Sequence, residues 1–223
     1  MPDDPFDDAV TEAVAHYAAS SHLARGMMRG KLRVDPVYRE LLDRGIGDAR
    51  RIVDLGCGRG LLFALILASR GGAEAPDLLG VELAGRAART ARQALGDSAT
   101  IVEADIAKQD IPRCDAVTLL DVAHYLPVPV QDDLLTRVRA ALPRGGRLFV
   151  READAAGGAG FLAVRAAERL AAIRDGSPLR RFAYRTSADL SRRLESSGFT
   201  VTATPMGHGT PFANVLLEAR ARA

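Results

Sequence analysis

Three glycines at alternate positions, Gly56, Gly58 and Gly60, form the segment with the clearest capacity for chemistry. They follow the mostly aliphatic residues 52–55, whose composition is typical of a buried parallel strand. The apolar residues 61–68 come next and predict a buried helix. A strand, a glycine turn and a helix bring backbone N–H groups close to a ligand, and a Cβ in the turn would block that approach. The segment therefore predicts a ligand-binding loop.

An acid follows at the end of a second predicted strand. Residues 78–81 form that strand, and Glu82 ends it. This is about the distance from the glycines at which an acid binds the ribose hydroxyls of a nucleotide cofactor. A carboxylate suits two hydroxyl donors better than a neutral amide does. The glycines alone are equally consistent with a plain tight turn, but together with Glu82 they favour a nucleotide cofactor.

Two histidines are candidate general bases, because imidazole titrates near neutral pH. His124 follows the predicted strand 116–120, and His208 lies between two glycines near the end of the chain. The alternative for His124 is a histidine that only packs or hydrogen-bonds beside the cofactor. Tyr125 is expected to line the substrate site rather than act as a base, since its unperturbed pKa is about 10. Glu152 is an acid expected at the same edge of the sheet, where ligands bind.

The pattern from Asp54 to Gly60 resembles motif I of the class I S-adenosylmethionine-dependent methyltransferases, and the resemblance extends over most of the chain. A dinucleotide site would instead read G-x-G-x-x-G. The resemblance implies that the glycine loop wraps the methionine part of S-adenosyl-L-methionine and that Glu82 binds its ribose. It also implies that Asp105 accepts from the adenine amino group. The cofactor-binding residues predicted in this way are Asp54, Gly56, Cys57, Gly58, Gly60, Glu82, Leu83, Asp105, Ile106 and Asp121.

A narrower resemblance involves residues 29–38 and 207–214, which look similar to methyltransferases found with aryl-polyene and fatty-acid-type biosynthetic enzymes. It would imply an aromatic or acyl acceptor, either free or delivered on an acyl carrier protein. Arg180, Arg181 and Arg185 could then meet the acidic carrier. A solvated basic face is the alternative for these arginines.

Residues 1–50 predict helices ahead of the sheet, which form an N-terminal cap. Two of these helices are expected at residues 8–19 and 36–42, the second with proline in its first turn. The basic, glycine-interrupted residues 25–33 lie between them and favour either a solvated turn or a mobile lid. In the lid, Arg29, Lys31 or Arg33 would meet an acidic substrate, and Met27 and Met28 would line an adaptable apolar entrance.

From residue 51 onward, predicted strands and helices alternate, which indicates right-handed βαβ units and a parallel sheet. We predict a single-domain, Rossmann-like α/β fold of the class I methyltransferase type. Its seven-stranded sheet should be mostly parallel, with an antiparallel last strand. The expected layout is a cap at 1–50, a cofactor-binding core at 51–152, a substrate-side insertion at 153–185, and a C-terminal helix with two strands at 186–223.

The composition of the chain argues against several classes of function. A chain of 223 residues suits one α/β domain, and a formal charge of +2 gives no basis for nucleic-acid binding. Cys57 and Cys114 lack the spacing of a zinc site and indicate a reducing compartment, so we expect no metal and a cytoplasmic protein. No apolar stretch reaches the length of a membrane span.

The stretch after the fourth predicted strand, residues 121–125, reads Asp-Val-Ala-His-Tyr. It therefore lacks the Asn/Asp-Pro-Pro-aromatic motif of enzymes that methylate amino groups of nucleobases or of protein glutamine. Cys114 follows an arginine, so the Pro-Cys nucleophile of cytosine C5 methyltransferases is missing as well. We predict methylation at oxygen or carbon of a small molecule. The alternatives are a non-catalytic S-adenosylmethionine-binding regulatory module and an NAD-dependent oxidoreductase.

Overall fold

The structure is a computed structural model that describes residues 4–72, 74–174, 181–207 and 210–223. The second candidate base, His208, and Arg180 lie outside these residues. The helices are α1 (Pro5–Ala15), α2 (His22–Val34), α3 (Pro36–Asp43), α4 (Leu61–Ser69), α5 (Gly85–Leu95), α6 (Val128–Ala141), α7 (Gly158–Arg174) and α8 (Ser187–Ser196). The strands are β1 (Arg51–Leu55), β2 (Asp77–Glu82), β3 (Thr100–Glu103), β4 (Ala116–Leu120), β5 (Arg147–Ala153), β6 (Phe199–Pro205) and β7 (Asn214–Ala221).

The strands form one seven-stranded sheet in the order β3-β2-β1-β4-β5-β7-β6. β1 pairs in parallel with β2 and β4, and β2 pairs in parallel with β3. β7 is antiparallel to both β5 and β6. The predicted fold class is therefore confirmed, including the antiparallel last strand. In such a sheet, ligands bind outside the carboxyl ends of the parallel strands.

The chain forms two compact units, Met1–Thr118 and Leu119–Ala223. In the first unit, α4 is buried on almost every side because its residues are nearly all apolar. α1 packs against α4. In the second unit, β7 packs between β5 and β6, and α8 packs against β6. The prediction of a single domain with four segments stays a prediction.

The basic segment at residues 25–33 is helical, so the prediction of a turn is wrong. Ser21 caps the start of α2 by accepting a hydrogen bond from the Ala24 N–H at 3.2 Å. Met28 and Leu32 lie one helical turn apart and are both buried, whereas Met27 is 65% exposed. Burial of the Met28–Leu32 face outweighs the cost of two glycines in the helix. The predicted substrate residues Arg29 and Lys31 lie on this helix, and their role stays a prediction.

The predicted start of the first helix, at residue 8, is also corrected. α1 begins at Pro5 because Asp4 caps it, accepting from the Phe6 N–H at 3.0 Å. β5 continues to Ala153, opposite Asn214 of β7, and α7 begins at Gly158, so residues 154–157 connect the two elements. Pairing with a neighbouring strand extends β5 beyond its apolar run, which the sequence pattern could not show.

Thr186 caps the start of α8. The Thr186 hydroxyl accepts a hydrogen bond from the Asp189 N–H at 3.1 Å at the start of α8. In the described part of the chain, none of the helices combines the length and the apolar character needed to cross a lipid bilayer.

Replacement by alanine should change the stability of the protein in opposite directions at Gly30, where a side chain has open space, and at Gly80, where it does not. A Cβ at Gly30 in α2 would meet no atom within 4 Å, so Gly30→Ala should stabilise the protein by about 1 kcal/mol. A Cβ at Gly80 in β2 would lie 2.7 Å from Cys57 Sγ and 2.8 Å from Ile101 Cδ1. Gly80→Ala should therefore destabilise it by about 1–3 kcal/mol. Urea unfolding measures both changes, and effects of the same sign would contradict these placements.

Candidate functional site

The glycine loop after β1 has the backbone conformation that its sequence predicts. Gly56, Gly58 and Gly60 have φ values of +86°, +56° and +77°, in the left-handed region that glycine adopts without strain. The loop is attached to β2, because the N–H groups of Gly56 and Cys57 donate to the Val81 carbonyl at 2.8 and 3.1 Å. These bonds fix the loop beside the carboxyl end of β2.

Glu82 binds this loop directly. Its Oε2 accepts a hydrogen bond from the Gly58 N–H at 2.8 Å, and its Oε1 accepts one from the Ala84 N–H at 2.7 Å. Each carboxylate oxygen has a second lone pair for another donor. A Cβ at Gly58 would meet no atom within 4 Å, and the neighbouring Leu83 is 69% exposed. An oriented carboxylate, an open glycine backbone and an exposed apolar side chain are the groups that a nucleoside requires.

Two further predicted residues are buried in the packing behind the loop. Asp54 of β1 accepts a hydrogen bond from the Thr118 hydroxyl of β4 at 2.6 Å. Burial raises the pKa of Asp54 to about 7, although the Thr118 hydrogen bond opposes the shift. Cys57 is also buried, and burial raises the pKa of its thiol, so the sulfur stays protonated at neutral pH. Both residues support the loop from the protein side.

Asp105 follows β3 and forms an ordinary turn at the end of that strand. Its Oδ1 accepts from the Ala107 N–H at 2.9 Å, and its carbonyl accepts from Lys108 and Gln109. Ile106 is buried. The adenine contacts assigned to Asp105 and Ile106 stay predictions.

Tyr17 is a loop contact that the sequence analysis missed. Its hydroxyl donates a hydrogen bond to the Arg59 carbonyl at 2.8 Å, and its ring is buried. It lies in the turn that follows α1, which packs on α4. The segment before the sheet therefore supports the glycine loop, although no local motif around Tyr17 indicates this contact.

In the second unit, the turn after β4 is fixed by an ion pair. Asp121 has a φ of +55° and is the only non-glycine residue with a positive φ in the part of the chain that the structure describes. Its Oδ1 accepts from Arg151 Nε at 2.9 Å, and its Oδ2 pairs with the same guanidinium. The Arg151 side chain is buried. This pairing stabilises an unfavourable backbone conformation, and a cofactor role for Asp121 stays a prediction.

His124 lies in a short 3-10 turn, Ala123–Tyr125, and pairs with Glu152 of β5. The His124 Nδ1–Glu152 Oε2 distance is 2.6 Å. Glu152 Oε1 accepts from the N–H groups of Ala123 and His124 at 2.7 and 3.3 Å. Because an ionised carboxylate only accepts, Nδ1 carries the proton and Nε2 presents its lone pair in the neutral ring.

The environment of the His124 ring sets its basicity. Only 3% of His124 is exposed, and its Nε2 is buried without a hydrogen-bond partner among the described residues. Burial lowers the pKa of His124, but the hydrogen bond and charge of Glu152 outweigh it, so the pKa is raised from its usual value. An oriented imidazole with a raised pKa and an unpartnered nitrogen has the features of a general base.

Aromatic rings surround His124. The ring of Tyr184 stacks on it with centroids 4.8 Å apart, and those of Tyr125 and Phe182 lie at 4.2 and 5.9 Å. The Tyr125 hydroxyl donates to Glu168 Oε2 at 2.7 Å. The predicted substrate residue Tyr125 and the predicted acid Glu152 therefore both contact His124.

The segment that carries Phe182 and Tyr184 is attached to the His124 turn. The Ala183 N–H donates to the His124 carbonyl at 2.7 Å, and the Ala183 carbonyl accepts from Gln131 Nε2 at 2.8 Å. Neither of these two aromatic residues was predicted to have a function. Their alternation on either side of Ala183, between two arginines, was an available signal.

One predicted partner contact is not supported. The side chain of Arg185 is only 9% exposed and pairs with Asp132 and Asp189, both at 2.5 Å. An arginine held in this way stabilises the packing of α6 and α8 and does not offer its charge to a carrier protein. Arg181, by contrast, is exposed.

Comparisons with known proteins agree with this geometry. A family model described as "Methyltransferase domain" matches residues 25–204. No curated protein matches the chain. Among solved structures, an O-methyltransferase family protein from Burkholderia thailandensis has a TM-score of 0.68 and 18% identity over 88% of this chain. The chain spans 57% of the length of that protein.

Two further structures have bound ligands. Magnesium protoporphyrin IX methyltransferase from Synechocystis PCC 6803, solved with bound SAH, has a TM-score of 0.62 and 20% identity, over 91% of this chain and 89% of that one. The 1,6-didemethyltoxoflavin-N1-methyltransferase of Burkholderia thailandensis, solved with bound 1,6-didemethyltoxoflavin and S-adenosylhomocysteine, has a TM-score of 0.65 and 17% identity, over 100% of this chain and 93% of that one. At these identities the likeness concerns the fold.

Proposed function

The chain belongs to the methyltransferase family whose domain it matches, and from this we propose that it transfers a methyl group from S-adenosyl-L-methionine to a hydroxyl oxygen of a small aromatic molecule. The observation that carries the proposal is the 2.6 Å contact between His124 Nδ1 and Glu152, which leaves a buried Nε2 without a partner among the described residues. Methylation of an oxygen requires removal of its proton, and an oriented imidazole serves that purpose.

The glycine loop and Glu82 would hold the cofactor. The open backbone at Gly58 fits a close ligand approach, and Glu82 has lone pairs left for two ribose hydroxyls. Leu83 offers an exposed apolar surface for the adenine. When bound, S-adenosyl-L-methionine supplies an electrophilic methyl group on a positively charged sulfur.

His124 would act on the acceptor. Nε2 would accept the proton of the acceptor hydroxyl as that oxygen takes the methyl group, which would leave S-adenosylhomocysteine and a methyl ether as products and the proton on His124. Glu152 keeps Nδ1 protonated and stabilises the imidazolium that forms. The aromatic rings around His124 exclude water and suit a flat acceptor.

A Glu152→Gln variant tests the pairing through the pH dependence of the rate. The base is active when deprotonated, so the rate should rise with pH as His124 loses its proton. Glu152 raises the pKa of His124 and burial lowers it, so removing the carboxylate charge should move the acidic limb of kcat/KM to lower pH. It should also lower kcat, because the imidazolium loses its counter-charge. An unshifted limb would show that Glu152 does not tune the base.

The alternative acceptors and roles make different predictions. Methylation of carbon in an acyl substrate, or delivery on a carrier protein, follows from the narrower sequence resemblance, but Arg185 is committed to internal ion pairs. A non-catalytic regulatory module would bind the cofactor and methylate no acceptor. Mass spectrometry of molecules retained through purification, followed by assays on hydroxylated aromatic compounds, separates these possibilities. The match to a methyltransferase domain gives no support to the alternative of an NAD-dependent oxidoreductase.

A further inference from the structure

A cleft beside α7 lies next to the aromatic rings around His124. Its volume is about 650 Å³, within the usual range for small-molecule sites. Phe161, Leu162, Phe182 and Tyr184 form its apolar lining, and Arg165 and Arg169 line it as well. All of these residues belong to the second unit.

The rings of this cleft are continuous with the His124 ring. Phe161 and Tyr184 meet edge to face with centroids 5.0 Å apart, and Phe182 stacks on Tyr184 at 5.9 Å. Tyr184 in turn stacks on His124 at 4.8 Å. A flat molecule against Phe161, Phe182 and Tyr184 would therefore lie next to a side chain that contacts the base.

Two buried polar atoms in this cluster have no hydrogen-bond partner among the described residues, namely Tyr184 Oη and His124 Nε2. Such atoms are costly unless a ligand or water satisfies them. Burial raises the pKa of the Tyr184 hydroxyl, so it stays protonated and can donate. A hydroxylated ligand offers the groups that both atoms lack.

The charges at the cleft are positive. Arg165 and Arg169 are one turn apart on α7 and both exposed. Their guanidinium carbons lie 5.9 Å from the Phe161 ring centroid and 5.7 Å from the Phe182 ring centroid, respectively. The nearby acid Glu168 accepts the Tyr125 hydroxyl at 2.7 Å. Guanidinium groups beside aromatic rings form a suitable site for a carboxylate on a planar molecule.

We propose that this cleft selects aromatic acceptors that carry a free carboxylate, with Arg165 and Arg169 binding the carboxylate and Phe161, Phe182 and Tyr184 binding the ring. The proposal rests on the proposed function, because the acceptor is the molecule whose hydroxyl His124 deprotonates. It adds the class of substrate: the acceptors would be hydroxylated aromatic acids, and not the neutral esters or thioesters of those acids.

The test compares hydroxylated benzoic and cinnamic acids with their methyl esters, as substrates and as ligands of the full chain. The wild type should bind the acids about tenfold more tightly than the esters. Arg165→Gln and Arg169→Gln should each raise the KM of the acids by about tenfold, leave the esters within about twofold, and leave S-adenosyl-L-methionine binding unchanged. Arg192→Gln on α8, whose side chain is 69% exposed, is the matched control and should change nothing.

Three results would overturn the proposal. Acids and esters could bind equally well, the arginine variants could weaken both equally, or carrier-bound aromatic thioesters could be methylated while the free acids neither bind nor react. Each of these would leave methyl transfer itself intact. Failure of the proposed function would look different: the wild type would bind S-adenosyl-L-methionine and methylate none of the acids, esters or thioesters.

Discussion

Replacing His124 with alanine should lower kcat for the methylated acceptor by about 10²–10⁴-fold, the usual contribution of a general base. The imidazole is held by Glu152 at 2.6 Å, and no other described side chain occupies its Nε2. Removing the ring leaves the acceptor proton without an oriented base. The affinity for S-adenosyl-L-methionine, measured by calorimetry, should stay within about twofold because the glycine loop is unchanged.

His22→Ala is the matched control for this variant. His22 lies at the start of α2 and contacts Arg25 on the surface, and we assign it no chemistry. Its replacement should leave kcat unchanged. Because the His124 site is buried, circular dichroism must first show that His124→Ala is folded. A folded His124→Ala variant with wild-type turnover would remove His124 as the base.

Replacing Glu82 with alanine should weaken binding of S-adenosyl-L-methionine by about 10²–10⁴-fold. Hydrogen bonds to a charged group contribute about 1.5–3 kcal/mol each, and the carboxylate has lone pairs for two ribose hydroxyls. Glu82 also holds the Gly58 and Ala84 N–H groups at 2.8 and 2.7 Å. The variant should therefore also loosen the loop.

Glu103→Ala is the comparison for this variant. Glu103 ends β3 opposite Glu82 in the sheet register, but its carboxylate lies 3.7 Å from Arg92 in an exposed pair. Its loss should change the Kd for S-adenosyl-L-methionine by less than about threefold, as expected for a surface ion pair. Titration of both variants by calorimetry measures the difference. Equal losses would show that general negative charge, rather than the position of Glu82, governs binding.

Local patterns predicted most of the first unit correctly. The composition of residues 52–55 is typical of a buried strand, and that of α4 is typical of a buried helix. The glycines between them indicate a turn. The prediction of a turn at residues 25–33 was wrong because two glycines suggested a break in the helix. The buried pair Met28 and Leu32 decided the outcome through tertiary packing, which glycine propensities do not include.

The second unit was less predictable because its contacts join distant residues. His124 and Glu152 were each recognised as candidates, but their contact spans 28 positions. Phe161 and Tyr184 meet only when α7 packs beside the segment at 181–185. No periodicity in the sequence encodes such pairs, so their grouping around His124 required the structure.

The most direct test of the account uses S-adenosyl-L-methionine with a deuterated methyl group. The wild type is incubated with hydroxylated aromatic acids, and mass spectrometry follows the label into product. We expect a deuterated methyl ether and an equal amount of S-adenosylhomocysteine from the wild type, and a small fraction of both from His124→Ala. If the wild type binds the cofactor but the label reaches only carbon, or reaches no acceptor at all, the assignment of oxygen methylation and of His124 as its base is contradicted.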